Sequence, residues 1–177
     1  MAWALSAPRA SILGAFILHF VGLGILYSGG VLVLPLSSSF GVDRRTSSLI
    51  PSLFTGSMLL TSLPAGKLFD AYYSYARAID PERAEVSMAP CVVVGGLVTA
   101  AGLLLMSTAD SVLQASCSAL LVGSGASMFA IPSITVVQSW FDKSKRATAT
   151  GVAMAGSGVG NFAYAIFMQR LLDGYDK

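Results

Sequence analysis

Five segments of this chain, residues 11–36, 46–66, 86–109, 111–141 and 147–169, contain no lysine, arginine, aspartate or glutamate. A helix rises about 1.5 Å per residue, so about 20 apolar residues cross a hydrocarbon core of roughly 30 Å. Each segment reaches that length. The predicted fold is therefore all-α: a polytopic membrane protein of about five transmembrane helices. A secretory signal is the competing reading of residues 11–36. Its apolar core would be only about 7–15 residues long and would end at a small-residue cleavage site. This run is longer and further spans follow, so a retained helix is expected.

The charged residues punctuate the spans. Asp43, Arg44 and Arg45 form the first turn, Asp110 the third, and Asp142, Lys143, Lys145 and Arg146 the fourth. Residues 67–85 are expected as the one substantial loop, polar and cytoplasmic, with Lys67, Asp70, Arg77, Asp80, Glu82, Arg83 and Glu85. Residues 1–177 would then form a single, incomplete transmembrane domain. If the N-terminus is cytoplasmic, the inner segments hold Arg9, Lys67, Arg77, Arg83, Lys143, Lys145 and Arg146, and the outer ones Arg44, Arg45, Arg170 and Lys177. The excess of positive charge favours that orientation. Pro51 and Pro64 are expected to bend the second span.

Several function classes are disfavoured. Charged residues make up 11% of the chain, against about 25% in soluble domains. A net charge of +2 with its cations in turns does not describe a nucleic-acid surface. Cys91 and Cys117 lie inside apolar runs without metal-ligand spacing, and are expected as small buried hydrophobes. No span holds paired carboxylates, a metal cluster or a Ser/His/Asp set. The expectation is no enzyme, no metal and no cofactor.

The polar residues within the spans are few. His19 is the single histidine. An ionisable group inside a membrane is a functional-site hypothesis by default, and histidine changes charge near neutral pH. The alternative is a neutral histidine bonded to a neighbouring helix. Tyr27 could donate to a carboxylate, or could pack as an ordinary aromatic. In the fourth span Cys117, Ser124, Ser127, Thr135 and Gln138 project within roughly 80° of one another on an ideal helix. That stripe reads either as a cavity wall or as interhelical hydrogen bonding. The fifth span has small residues on two faces: Gly151, Ala155, Gly158 and Ala165 on one, Ala149, Ala153, Gly156 and Gly160 on the other. Such faces let helices approach closely. Asn161 and Tyr164 are its strong polar side chains.

The order Trp140-Phe141, Lys143, Lys145, Arg146, then Gly151 and Ala155-Gly156-Ser157 resembles the fourth-to-fifth helix junction of major facilitator superfamily transporters. It is most similar to the monocarboxylate-transporter and oxalate–formate-antiporter branch, with one extra residue between Phe141 and Gly151. Gly66, Leu68 and Asp70 resemble the start of the superfamily's loop motif G-x-L-x-D-R-x-G-R-R, with Ala71 in place of its first arginine. Val31 stands where monocarboxylate transporters typically carry a lysine.

The resemblance implies the first five helices of a transporter that works by alternating access. It implies a substrate cavity lined by His19, Tyr27, Ser124, Ser127, Gln138 and Asn161, gating residues Gly66, Asp70 and Arg146, and helix packing through Gly151, Gly156 and Gly160. The implied partners are the lipid bilayer, a small organic solute such as a monocarboxylate, a proton, and a missing C-terminal half or a second copy. The alternative is a membrane protein that does not transport and docks on a partner through the fifth helix.

Overall fold

A computed structural model describes residues 7–79 and 89–175. Five helices are long and apolar enough to cross a membrane: Pro8–Phe40, Arg44–Ile79, Ala89–Ser107, Val112–Ser139 and Lys143–Gly174. They are called the first to fifth spans below. The chain is an all-α polytopic membrane protein.

The first span is not one regular helix. A π-helical turn, His19–Leu23, and a 3₁₀ turn, Ser28–Leu32, flank the four-residue α-helix Gly24–Tyr27. The widened turn closes with the Gly24 amide donating to the His19 carbonyl. Such turns are rare and gather at functional sites. The span ends at Gly41, whose φ of 61° is a left-handed conformation that costs glycine little.

The second span departs from the sequence expectation. Residues 67–79, expected as loop, continue the helix to Ile79. Its last turns hold Ala71, Ala76 and Ala78, and no glycine or proline occurs between Gly66 and Pro81. No helix breaker beyond Gly66 therefore interrupts the span as far as Ile79. Asp80, Glu82, Arg83 and Glu85 of the expected loop lie outside the described residues. Pro51 and Pro64 are both accommodated inside this helix. The fifth span starts earlier than expected, so Lys143, Lys145 and Arg146 form its first turn and not a loop.

The fourth span is the hub. In its most apolar window 56% of residues are buried, against 17% in the second, third and fifth spans. Glycines set how closely the neighbours approach. A Cβ added to Gly125 would stand 2.6 Å from the Thr99 amide nitrogen of the third span. One added to Gly123 would collide with the Phe54 carbonyl and the Ser57 hydroxyl of the second. Around these crossings Leu23, Leu26, Ile50, Phe54, Val122 and Phe129 form the main apolar core. The fifth span packs on the first in the same way. A Cβ at Gly156 would collide with the Phe16 carbonyl, one at Gly160 with the Phe20 carbonyl, and one at Gly24 would lie 2.7 Å from the Gly160 Cα. Without a hydrophobic force between helices in lipid, such contacts are what hold the bundle together.

Candidate functional site

His19 opens the π-helical turn and is 2% exposed. Its Nε2 lies 3.2 Å from the Ser133 hydroxyl of the fourth span. That hydroxyl also bonds the Ala130 carbonyl at 2.8 Å. A serine has one proton to give, and the carbonyl can only accept, so the proton goes to Ala130. The Ser133 oxygen is then placed to accept from His19 in the tautomer with Nε2–H. In the neutral tautomer that carries its proton on Nε2, the lone pair is on Nδ1. Among the described residues Nδ1 has no hydrogen-bond partner. The arrangement is a buried base with one nitrogen anchored and the other vacant.

Sequence reasoning did not single out Ser133. It lies six residues after Ser127, about 240° round the helix from the stripe, and so falls off that face. The available signal was a hydroxyl next to Pro132 in a largely apolar run.

Tyr27 points the other way. It is 42% exposed, while Leu26 and Ser28 on either side are buried. The structure does not bring Tyr27 and His19 together. Ser28 turns inward instead, donating to the Ile25 carbonyl at 2.8 Å and lying 3.6 Å from the Met168 sulfur of the fifth span. Asn161 is half-buried, with its backbone at the crossing of Gly24 and Gly160. Tyr164 meets Phe20 with ring centroids 5.8 Å apart.

The stripe of the fourth span divides. Cys117, Thr135 and Gln138 are exposed and Ser124 is half-buried, on the face that the other spans leave open. The expectation of a buried Cys117 is thus corrected: its run is apolar, but among the described residues no helix covers its own face. Cys91 is half-buried. Ser127, at 1% exposed, is turned into the bundle, where Thr61 Oγ1 of the second span lies 3.1 Å from its hydroxyl. The Ser124 and Thr135 hydroxyls donate to the Leu120 and Ile131 carbonyls of their own helix, at 2.7 and 3.1 Å. Those bonds engage the hydroxyl protons and leave the oxygen lone pairs. Gln138, whose amide reaches Thr150 Oγ1 at 3.4 Å, and Tyr27 are the outward donors. The half-buried Thr61 and the buried Thr99, which bonds the Val122 carbonyl at 3.4 Å, are polar links absent from the sequence reading.

Of the other residues singled out, Gly66 has open space around it and Asp70 is exposed. Between them Phe69 is buried and stacks on Tyr73 with centroids 6.3 Å apart. Arg146 is exposed and donates from Nε to the Phe141 carbonyl at 3.0 Å. Gly151 has nothing within 4 Å of its Cβ position, unlike Gly156 and Gly160. Outside the spans, Asp43 is held below the usual carboxylate range, first by the Thr46 hydroxyl and then by the Thr46 amide, which donates to Oδ1 at 3.1 Å. Among the described residues no three His, Cys, Asp or Glu side chains cluster to hold a metal.

These features can be set against known proteins. The family model described as Major Facilitator Superfamily matches residues 12–176. "Monocarboxylate transporter 13" of Bos taurus is 30% identical over 165 residues, 93% of this chain and 35% of that protein. "Monocarboxylate transporter 9" of Mus musculus is 29% identical over 162 residues, 91% of this chain and 29% of that protein. "MFS-type transporter dbaD" of Emericella nidulans is 29% identical over 163 residues, 91% of this chain and 34% of that protein. The chain spans about a third of the length of these relatives. No solved structure matches significantly. Five apolar helices packed through glycines on a central fourth span, with a family match over nearly the whole chain, place it: the chain belongs to the Major Facilitator Superfamily.

Proposed function

We propose that this chain supplies the first part of a secondary transporter that moves a small organic anion, of the monocarboxylate class, by alternating access. The transport reading rests on the superfamily match, and the solute class on the relatives that are named monocarboxylate transporters. The open face of the fourth span, with Ser124, Thr135 and Gln138, and the exposed Tyr27 would line this half of the cavity. None of these carries charge. The cation that pairs with a carboxylate would come from the remainder of a longer protein or from a second copy. The Gly66–Asp70 helix segment and Arg146 would meet that second half in one of the two states. The excess of lysine and arginine at the ends of the first, second and fifth spans supports a cytoplasmic N-terminus.

The observation that carries a coupling role is the vacant Nδ1 of His19. A neutral imidazole with one nitrogen anchored can take a proton on the other without moving its ring. In this reading His19 accepts the co-transported proton when the cavity hydrates it. The test uses the full-length protein in proteoliposomes with a labelled short-chain monocarboxylate. An imposed proton gradient should drive accumulation. His19→Gln should abolish that accumulation while solute exchange persists. Unchanged proton-driven accumulation in the variant would sink the assignment, and no uptake by the parent protein would sink the transport reading.

A further inference from the structure

One end of the bundle gathers four cations from two separate segments. Ile12, Ala15, Val137, Phe141, Ala149 and Ala153 pack together where the first and fifth spans lie side by side. Arg9 precedes Ile12 by three residues, and Arg146 precedes Ala149 by three. Both spans start at this end, so Arg9 and Arg146 stand at the same height, with Lys143 and Lys145 beside them. All four side chains are exposed, and among the described residues none is in an ion pair. Arg146 is held in place through Nε by the Phe141 carbonyl, which leaves its two terminal nitrogens free. Trp140, 42% exposed, adjoins the cluster. An indole suits the level where headgroups meet acyl chains.

The opposite end of the bundle carries fewer cations. Arg44 and Arg45 follow Asp43, whose carboxylate is engaged by the Thr46 amide. At the fifth span the matching residue is Asp142, and it is the backbone carbonyl that accepts from the Lys145 and Arg146 amides. No acidic residue lies in the first turn of either helix. Arg9, Lys143, Lys145 and Arg146 thus stand against the single carboxylate of Asp142, a larger positive excess than Arg44 and Arg45 beside Asp43.

The geometry points to a binding site for the phosphate headgroup of an anionic phospholipid, formed by Arg9, Lys143, Lys145 and Arg146 with Trp140 at the acyl boundary. The arginines offer paired donors to phosphate oxygens and the lysines point charges. The membrane supplies the ligand at the required depth, which a dissolved anion does not. The site does not depend on which face of the membrane is cytoplasmic.

The test places the full-length protein in nanodiscs of phosphatidylcholine doped with phosphatidylserine in both leaflets. Retained phosphatidylserine is titrated by native mass spectrometry. Each charge removed should weaken binding about fivefold, so Lys143→Gln with Lys145→Gln should weaken it about 25-fold. Lys143→Arg with Lys145→Arg should restore it. Arg44→Gln with Arg45→Gln at the other end should change it by less than about twofold. Equal loss from both pairs would mean diffuse attraction and overturn the site. So would equal retention of the two lipids. Displacement of the lipid by inorganic phosphate would show a free-anion site and overturn the headgroup reading.

Discussion

His19 and Ser133, 114 residues apart in the chain, meet at 3.2 Å in the interior of the bundle and decide each other's protons. The serine donates to the Ala130 carbonyl, which leaves its oxygen to accept from the histidine in the Nε2–H tautomer. Among the described residues Nδ1 has no hydrogen-bond partner.

Ser133→Ala should therefore unsettle His19 without removing it. The Nε2–H loses its acceptor, and the tautomer is no longer fixed. Leaving a buried donor unsatisfied costs about 1–3 kcal/mol. We expect a lower thermal midpoint and a displaced pH profile of uptake. An unchanged pH profile would mean the pair is only structural.

The glycine contacts predict a sharp asymmetry along one helix. Gly160→Leu drives a side chain into the Phe20 carbonyl, where backbone cannot yield. Gly151→Leu, nine residues earlier, enters open space. Membrane yield and thermal midpoint should collapse for the first and hold for the second. Equal damage from both would mean that a further element covers Gly151.

Thr61 and Ser127 lend themselves to a double-mutant cycle. Their hydroxyls lie 3.1 Å apart between the second and fourth spans. Both also have carbonyl partners on their own helices, Ser57 and Ser124. The coupling between Thr61→Val and Ser127→Ala should therefore fall near about 0.6 kcal/mol, the average for such bonds in membranes. A coupling of about 2 kcal/mol would show that the pair dominates this interface.

Asp43 makes the second span's start acid-sensitive. Its folded pKa is depressed by the Thr46 hydroxyl and amide, so its stabilisation is present above the ordinary carboxylate range. That stabilisation is lost as pH falls through the lowered folded value. Amide exchange at Thr46, compared with neighbouring amides, should quicken over that acidic window. In Asp43→Asn the extra acid response should vanish.

Much of the fold was legible because lipid imposes a simple rule: uncharged runs of sufficient length become helices. Span ends were less legible. Residues 67–79 carry enough charge to read as loop, yet no breaker interrupts them, and the helix simply leaves the apolar zone. The site divided in a similar way. His19 stood out as an isolated ionisable group. Ser133, its partner, did not, because the two helices cross at an angle that no single-helix periodicity encodes. Ser127 lies close in phase to Ser124, but Thr61 draws it to the interior, while Ser124 stays on the open side.

The dominance of the fourth span has a bearing on biogenesis. As the chain is synthesised, the first three spans enter the bilayer with few partners, since the glycine seats that receive the second and third are Gly123 and Gly125. A ribosome that has not yet passed Ser139 holds a nascent product whose hydroxyls at Thr61 and Thr99 lack their interhelical mates. Assembly must wait for that late insertion, and the early segments would be held meanwhile by the insertion machinery or remain exposed to membrane quality control.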